Sequence, residues 1–385
     1  MIKYFFSLGN NPDLSQAELK SLFPEVKWFR FGTILVGDFV DKIDSKKLIN
    51  VLGGTIKIGE IIQEFNLANR KALAQTIKSY TVNLAQNSGG TKFSFGFSVY
   101  NKKIPGDFFK LGLAIKKDLK TLGISSRMVN SRQEALSSVI VEQNKLFLPN
   151  GIDFCLFSDH KRVFLGQTLV VQPFKVLSKR DFGRPARDDH SGMLPPKLAQ
   201  IMINLARRND DISTKTILDP FCGSGTVLSE AYLMGFKKII GSDISAVAVA
   251  DSQENLSWIQ EFFNKKENNR EVFVSDVLNL SSLLTNSSVD YIVSEPYLGP
   301  QRGFKNFNEV VSELNILYSQ ALAVFLKILK KGGRIVMIWP QFRAGNKIWK
   351  LNPDIFKLKP LISRGSLVYG RLGQKVWREI IVLER

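Results

Sequence analysis

The sequence predicts an α/β fold: an open parallel sheet wound by helices over residues 193–385, with an α+β region ahead of it. Three observations carry the prediction. Apolar runs of strand length alternate with helical patterns from Thr216 onward, as βαβ units require. The first of those runs ends in an acid and a glycine turn, Asp219-Pro220-Phe221-Cys222-Gly223-Ser224-Gly225-Thr226. The terminal run, Gln374 to Leu383, alternates apolar and polar residues, as a half-exposed antiparallel last strand does.

Taken in order, Tyr4 to Leu8 reads as a short strand, turned by Asn10-Asn11-Pro12. A helix then starts at Leu14-Ser15, with Ser15 as N-cap and Glu18 as its capping-box partner. Ile34 to Val40 is a strand, and Gly53-Gly54 turns into another, Thr55 to Ile62. Lys92 to Tyr100 alternates as a half-buried strand; its aromatic face suits core packing, with base stacking as the alternative. Phe108 to Leu122 is an amphipathic helix with Lys110, Lys116, Lys117 and Lys120 near its polar face. A polar stretch with Arg127 and Arg132 follows, then a helix around Val139 and Val141, then strands at Phe154 to Phe157 and Val163 to Val171. Lys179 to Asp189 mixes proline, glycine and charge and reads as a linker, its arginines solvated or free to contact phosphates. The expected segments are therefore 1–70, 71–175, a linker at 176–192, and 193–385.

In the last segment, Pro195 and Pro196 suit the first turn of a helix reaching Arg207, and His190 just before it is local structure. Gly223 and Gly225 lack Cβ, so the backbone there can take positive φ and a ligand can come close. The free N–H groups of the helix that follows, closed by Gly235, face that ligand. Lys238 to Asp243 and Val272 to Asp276 are strands that also end in acids. Val289 to Val293 ends in Ser294-Glu295-Pro296-Tyr297. Open parallel sheets bind ligands at these carboxyl ends, and an acid closing the second strand accepts hydrogen bonds from ribose hydroxyls. One such Asp would be a helix cap; Asp219, Asp243 and Asp276 in register beside a glycine turn mark a site. A P-loop is absent, and Val227-Leu228 stand where a dinucleotide fingerprint wants its third glycine. Asn308 to Lys331 reads as a long helix capped by Gly332-Gly333, and Arg334 to Trp339 as the fifth strand.

Composition bounds the function. With 385 residues, 44% hydrophobic and 23% charged, the chain can hold two or three ordinary domains. A net charge of +18 and a pI of 9.7 point to a polyanionic partner, nucleic acid before membrane. Cys155, Cys222, His160 and His190 are too few for a disulfide framework or a Cys/His metal site, and fit a reducing, cytoplasmic setting. Cys222 is read as a small packing residue. Met1 to Asn10 is too short an apolar run for a signal peptide, and no apolar stretch is expected to span a bilayer; Ala321 to Leu329 reads as core helix.

Asp-Pro-Phe-Cys-Gly-Ser-Gly-Thr at 219–226 and the x-x-Pro-Tyr tetrad at 294–297 resemble the class I S-adenosyl-L-methionine-dependent methyltransferases that modify exocyclic amines of nucleobases. That resemblance implies a Rossmann-like domain whose seven-stranded sheet ends in an antiparallel strand. The layout before it, with Leu111 to Val141, resembles a THUMP domain preceded by a ferredoxin-like α+β partner. Tyr369 to Ile380 resembles the C-terminal hairpin of THUMP-linked tRNA guanine-N2 methyltransferases, whose usual target is guanosine 10. The family resemblance implies tRNA as partner and S-adenosyl-L-methionine as cofactor, and leaves a small activating subunit open. It also implies roles. Asp219, Gly223 and Gly225 serve the methionine end, helped by the element at Met193. Asp243 holds the ribose, Ile244 packs on adenine and Asp276 bonds its amine. Phe221, Cys222, Thr226 and Val277 complete the cofactor set. Ser294 Oγ and the carbonyls beside Pro296 accept from the guanine amine, and Tyr297 stacks on a flipped base. Ser294 and Glu295 depart from the commonest Asp-Pro-Pro-Tyr, and Glu295 either turns inward or faces solvent. Ribosomal RNA guanine-N2 or DNA adenine-N6 methylation, and an RNA-binding protein that has lost catalysis, are the alternatives.

Overall fold

Apolar runs buried on both faces form the middle of a parallel sheet, and Thr216–Asp219 and Val289–Ser294 are buried at every residue. The computed structural model describes residues 1–88, 92–100, 104, 106–187, 193–266, 268–300, 306–371 and 373–385; His190 lies outside them. These two runs are β1 (Thr216–Asp219) and β4 (Val289–Ser294) of a sheet that also holds β2 (Lys238–Asp243), β3 (Asn269–Val274), β5 (Leu329–Ala344), β6 (Lys359–Pro360) and β7 (Val376–Glu384). Hydrogen-bonded neighbours run β3-β2-β1-β4-β5-β7-β6. The first five strands are parallel, and β7 runs antiparallel to β5, as expected for the last strand. Strand order reverses between β1 and β4, the place where such sheets open a ligand crevice. Lys347–Lys350 and Val368–Tyr369 add short pairings to β5 and β7.

The helices of this sheet are α1 (Pro196–Ala206), α2 (Thr226–Met234), α3 (Ala246–Phe262) and α4 (Phe307–Ile328). α4, 22 residues long, holds an 18-residue stretch of mean hydropathy 1.2, long and apolar enough by length and composition alone to cross a membrane, contrary to the sequence expectation. Its stripe of Leu314, Tyr318, Leu322 and Phe325 is instead packed with Ile292, Ile335 and Trp339 in one core. α4 also stops at Ile328, earlier than its glycines suggested. Leu329 already pairs with Val289, and the chain bulges before Arg334 pairs with Tyr291, with Gly332 at φ 74° inside the bulge. Sheet pairing of a buried leucine thus ends the helix, and Gly332 serves the strand.

Residues 1–12, 25–51 and 55–174 form a separate unit. Its single eight-stranded sheet has the order Lys27–Phe31, Ile34–Phe39, Ile2–Leu8, Thr55–Asn66, Arg162–Val171, Gly151–Ser158, Phe93–Val99, Ser126–Val129. Strands from 1–70 and from 71–175 therefore share one sheet. Phe93, Phe95 and Phe97 are buried in its core with Ile77, Ile115 and Leu119, so their rings are packing residues.

The first helix, Pro12–Leu22, starts earlier than the capping box predicted. Pro12 has the fixed φ that suits a first turn, which leaves Ser15 and Glu18 buried inside the helix rather than at its end. The Glu18 carboxylate instead accepts from the N–H groups of Gly53 (2.8 Å) and Gly54 (2.9 Å) and from Asn204 Nδ2 (2.7 Å). Residues 13–24 and 52–54 accordingly cluster with 175–385. Glu18→Leu strips three buried donors of their acceptor, each at about 1–3 kcal/mol. Thermal melting should fall by several degrees, at about 2–4 °C per kcal/mol for a unit of this size; an unchanged melt would mean that the donors find another partner.

Candidate active site

The glycine loop leaves β1 at Asp219 and enters α2 at Thr226. Gly223 (φ 50°) and Gly225 (φ 80°) are both left-handed, as the sequence requires. A Cβ on Gly223 would meet nothing within 4 Å, so its face is open, whereas one on Gly225 would lie 2.3 Å from Ser252 Oγ. The loop is held on two sides. Gly223 N–H donates to Asp243 Oδ2 at the end of β2 (3.0 Å), and Ser245 N–H donates to Oδ1 (3.0 Å). Asn255, on α3, donates to the Ser224 carbonyl (2.8 Å) and exchanges bonds with the Ala186 backbone (2.9 and 3.1 Å).

The predicted linker takes part in this support. Arg180 and Arg184 are buried, neither solvated nor turned outward to phosphates. Arg180 pairs with Glu230 of α2 at 2.8 Å, and Arg184 donates to Thr226 Oγ1 at 2.6 Å. Burial pushes the Glu230 carboxyl up to about 7, against the pull of the two arginines. Sequence reasoning missed Arg180, Arg184 and Asn255; the only signal was the i,i+4 spacing of the arginines in a stretch that reads as a connector.

A cavity of about 770 Å³ opens at the carboxyl ends of β1 to β4, within the ~300–1,000 Å³ range of ligand sites. Met193, Asp219, Phe221, Cys222, Gly223, Thr226, Asp243, Ile244, Asp276 and Val277 line it, together with Glu295, Pro296 and Tyr297. Ile244 and Tyr297 are 72% and 58% exposed, so both present apolar faces to a ligand. Asp276 also caps the turn at Val277–Asn279 through the Leu278 N–H (2.9 Å). Burial raises the Cys222 thiol, which keeps it neutral and in its packing role. The residues fit a nucleoside with a charged tail: two acids reach the cavity from successive strands, an exposed isoleucine adjoins one of them, and a Cβ-free loop faces it.

Gly225 and Ser294 do not line the cavity. Ser294 is fully buried, and its hydroxyl donates to Asp219 Oδ1 at 2.6 Å. The sequence placed that hydroxyl at the acceptor amine; the pairing of β4 beside β1 turns it to the carboxylate instead. Glu295 turns inward, ion-paired with Arg378 of β7, with both side chains mostly buried. Burial raises the Glu295 carboxyl, and Arg378 opposes the rise. Arg378 was not singled out in the sequence, since it lies in an ordinary alternating strand. The Tyr297 carbonyl accepts from Tyr318 of α4 (3.0 Å), which fixes the tetrad's far end.

Burial lifts the Asp219 carboxyl from its ordinary 3.8 to about 7, while Ser294 and the Phe221 N–H pull the other way. The folded chain therefore keeps a proton that the unfolded chain has released, so the stability from this group is present at low pH and lost as pH rises through about 7. Asp219→Asn should remove that slope. In melts from pH 5 to 8 the parent should lose stability relative to the variant; parallel curves would contradict the burial of an uncompensated carboxyl.

A family model described as "RMKL-like, methyltransferase domain" matches residues 184–359, and one described as "DNA methylase" matches 66–254. The tRNA (guanine(10)-N2)-dimethyltransferase of Pyrococcus abyssi is 30% identical over 198 residues, 51% of this chain and 49% of that protein. Its counterpart in Methanothermobacter thermautotrophicus is 32% identical over 180 residues, 45% and 48% of the two chains. The chain thus spans about half the length of these curated relatives. A "Probable tRNA (guanine(10)-N2)-dimethyltransferase" of Methanothermococcus thermolithotrophicus is 32% identical over 176 residues, 44% of this chain and 93% of that one. Among solved structures, TrmN from Thermus thermophilus superposes over 100% of both chains with a TM-score of 0.51 at 15% identity, a likeness of fold. The chain belongs to the family of the tRNA (guanine(10)-N2)-dimethyltransferases.

Proposed function

We propose that this chain is a cytoplasmic, S-adenosyl-L-methionine-dependent enzyme that methylates the exocyclic N2 amine of a guanosine in tRNA, at position 10. The observation that carries the reading is the single cavity lined by the acids of β1 and β2, Asp276 and the glycine loop together with Glu295-Pro296-Tyr297. The names of the curated relatives support the substrate. Residues 71–175 are proposed as a THUMP RNA-binding segment, 1–70 as its ferredoxin-like neighbour and 193–385 as the catalytic part, joined by 176–192.

Bound S-adenosyl-L-methionine supplies an electrophilic methyl group on a sulfonium, which needs no further activation. The chain's own residues hold and orient. Asp243, fixed by the Gly223 and Ser245 N–H groups, presents its carboxylate to the ribose. Ile244 offers an apolar face to the adenine and Asp276 an acceptor to its amine. Asp219, Gly223 and Gly225 shape the methionine end, with Phe221, Cys222, Thr226, Val277 and Met193 around them. Tyr297 stacks on the flipped guanine. The guanine amine is a weak nucleophile whose protons grow more acidic as the new bond forms, so acceptors beside it stabilise the transition state. Carbonyls beside Pro296 fill that role, and Glu295, which lines the cavity in an ion pair with Arg378, takes the departing proton. Ser294 acts through Asp219.

Cofactor binding and transfer should separate by mutation. Asp243→Ala should abolish cofactor binding in calorimetry. Tyr297→Ala should bind cofactor as the parent does and lose about 10–100-fold in single-turnover transfer to tRNA, the worth of one stacked base. Normal cofactor binding by Asp243→Ala would overturn the assignment of β2. Cofactor binding without transfer in the parent would favour an RNA-binding protein that has lost catalysis.

A further inference from the structure

Most cations of the C-terminal segment are gathered at one end of the sheet. Residues 343–378 hold nine lysines and arginines against one acid, Asp354. Strand register places four of them at that end, and backbone hydrogen bonds of the turn before β7 place two more. Met337 of β5 lies opposite Ser294, and β5 runs on past it to Ala344, about 23 Å further at ~3.3 Å per residue. The extension pairs with Lys347–Lys350 on one side and with the start of β7 on the other, and Arg343 N–H donates to the Lys375 carbonyl (2.7 Å). Arg343, Lys347, Lys350, Lys375 and Arg378 thus stand on a three-stranded ribbon beyond the carboxyl ends of the sheet, the end at which the cavity opens, and Arg371 lies in the turn that leads into its third strand, bonded to Gln374. Lys347, Lys350, Arg371 and Lys375 are exposed, and among the described residues no carboxylate pairs with them. Lys359 is the contrast in position: it is also exposed, but its strand lies alongside β7 at the opposite end, with Lys359 in register with Glu384.

We infer that this ribbon is a phosphate-binding rim, by which the catalytic unit grips the RNA backbone on either side of the base it receives; the inference rests on the proposed function. Continuity with the cavity supports it, because Arg378 at the foot of the ribbon holds Glu295 of the tetrad. A flipped base leaves its flanking phosphates outside the pocket, where point charges on flexible stems suit them. The ribbon's aromatic rings are already engaged: Arg343 lies 3.7 Å over Trp377, and Trp349 stacks on Phe307 at 4.3 Å. A membrane surface would want such rings free to insert, so a nucleic-acid backbone is the better fit.

The test compares the full-length chain carrying Lys347→Ala, Lys350→Ala and Lys375→Ala together with a Lys359→Ala control. Affinity for an unmodified tRNA transcript is read by anisotropy across a salt series, and S-adenosyl-L-methionine affinity by calorimetry. The triple variant should bind tRNA about tenfold or more weakly, with a salt slope shallower by about 0.7–0.9 for each phosphate no longer neutralised. Its cofactor affinity and the control should match the parent. Parental tRNA affinity in the triple variant, an equal loss in the control, or no tRNA binding by the parent would overturn the rim. So would selective loss of binding to phosphatidylserine vesicles with tRNA binding intact. Parent chain that binds tRNA through these lysines yet transfers no methyl group would sink the proposed function and leave the rim standing.

Discussion

The hydrogen bond from Ser294 Oγ to Asp219 Oδ1 joins the last residues of β1 and β4. These are the two strands between which the order of the sheet reverses. Below the bond the strands are buried at every residue; above it the chain parts into the glycine loop on one side and the tetrad on the other. Crevices form where neighbouring strands send their connections to opposite faces, and here that parting is tied at its base. The cost is a carboxyl buried without a cation of its own, which burial drives up to about 7. A hydroxyl at position 294 both fits a fully buried site and satisfies that carboxyl, whereas a second carboxylate there would meet like charge.

The loop above the bond is held from outside as well. Arg184 reaches Thr226, Asn255 bonds Ser224 and Ala186, and Arg180 pairs with Glu230. Buried ion pairs add little net stability, but removal of one partner costs about 3–5 kcal/mol. Residues 175–187 are therefore an integral strap of the second unit. Conformational freedom that the two glycines would allow is removed by these bonds, which preorganises the loop before any ligand arrives.

The order of strands and helices in the second unit was legible because period and composition are local properties. The same holds for the cavity's acids and glycines, which announce themselves by their place at strand ends. Contacts between distant segments were not legible. Ser15 and Glu18 form a capping box in sequence, yet Glu18 is claimed by Gly53, Gly54 and Asn204, far away in the chain. Gly332 and Gly333 look like a helix stop, yet the pairing of Leu329 with Val289 acts first. Ser294 sits in the tetrad, but only the pairing of β1 with β4 shows which way its hydroxyl turns. Strands Lys27–Phe31 and Ser126–Val129 escaped notice because both are edge strands, the first largely exposed and the second short, with weak alternation.

Transfer of label from S-adenosyl-L-methionine to unmodified tRNA, ribosomal RNA and DNA in parallel, followed by nucleoside analysis, tests the account most directly. It predicts label in N2-methylated guanosine, from tRNA alone. Label in another nucleoside or another polymer, or none in any of them while the cofactor is bound, would contradict it.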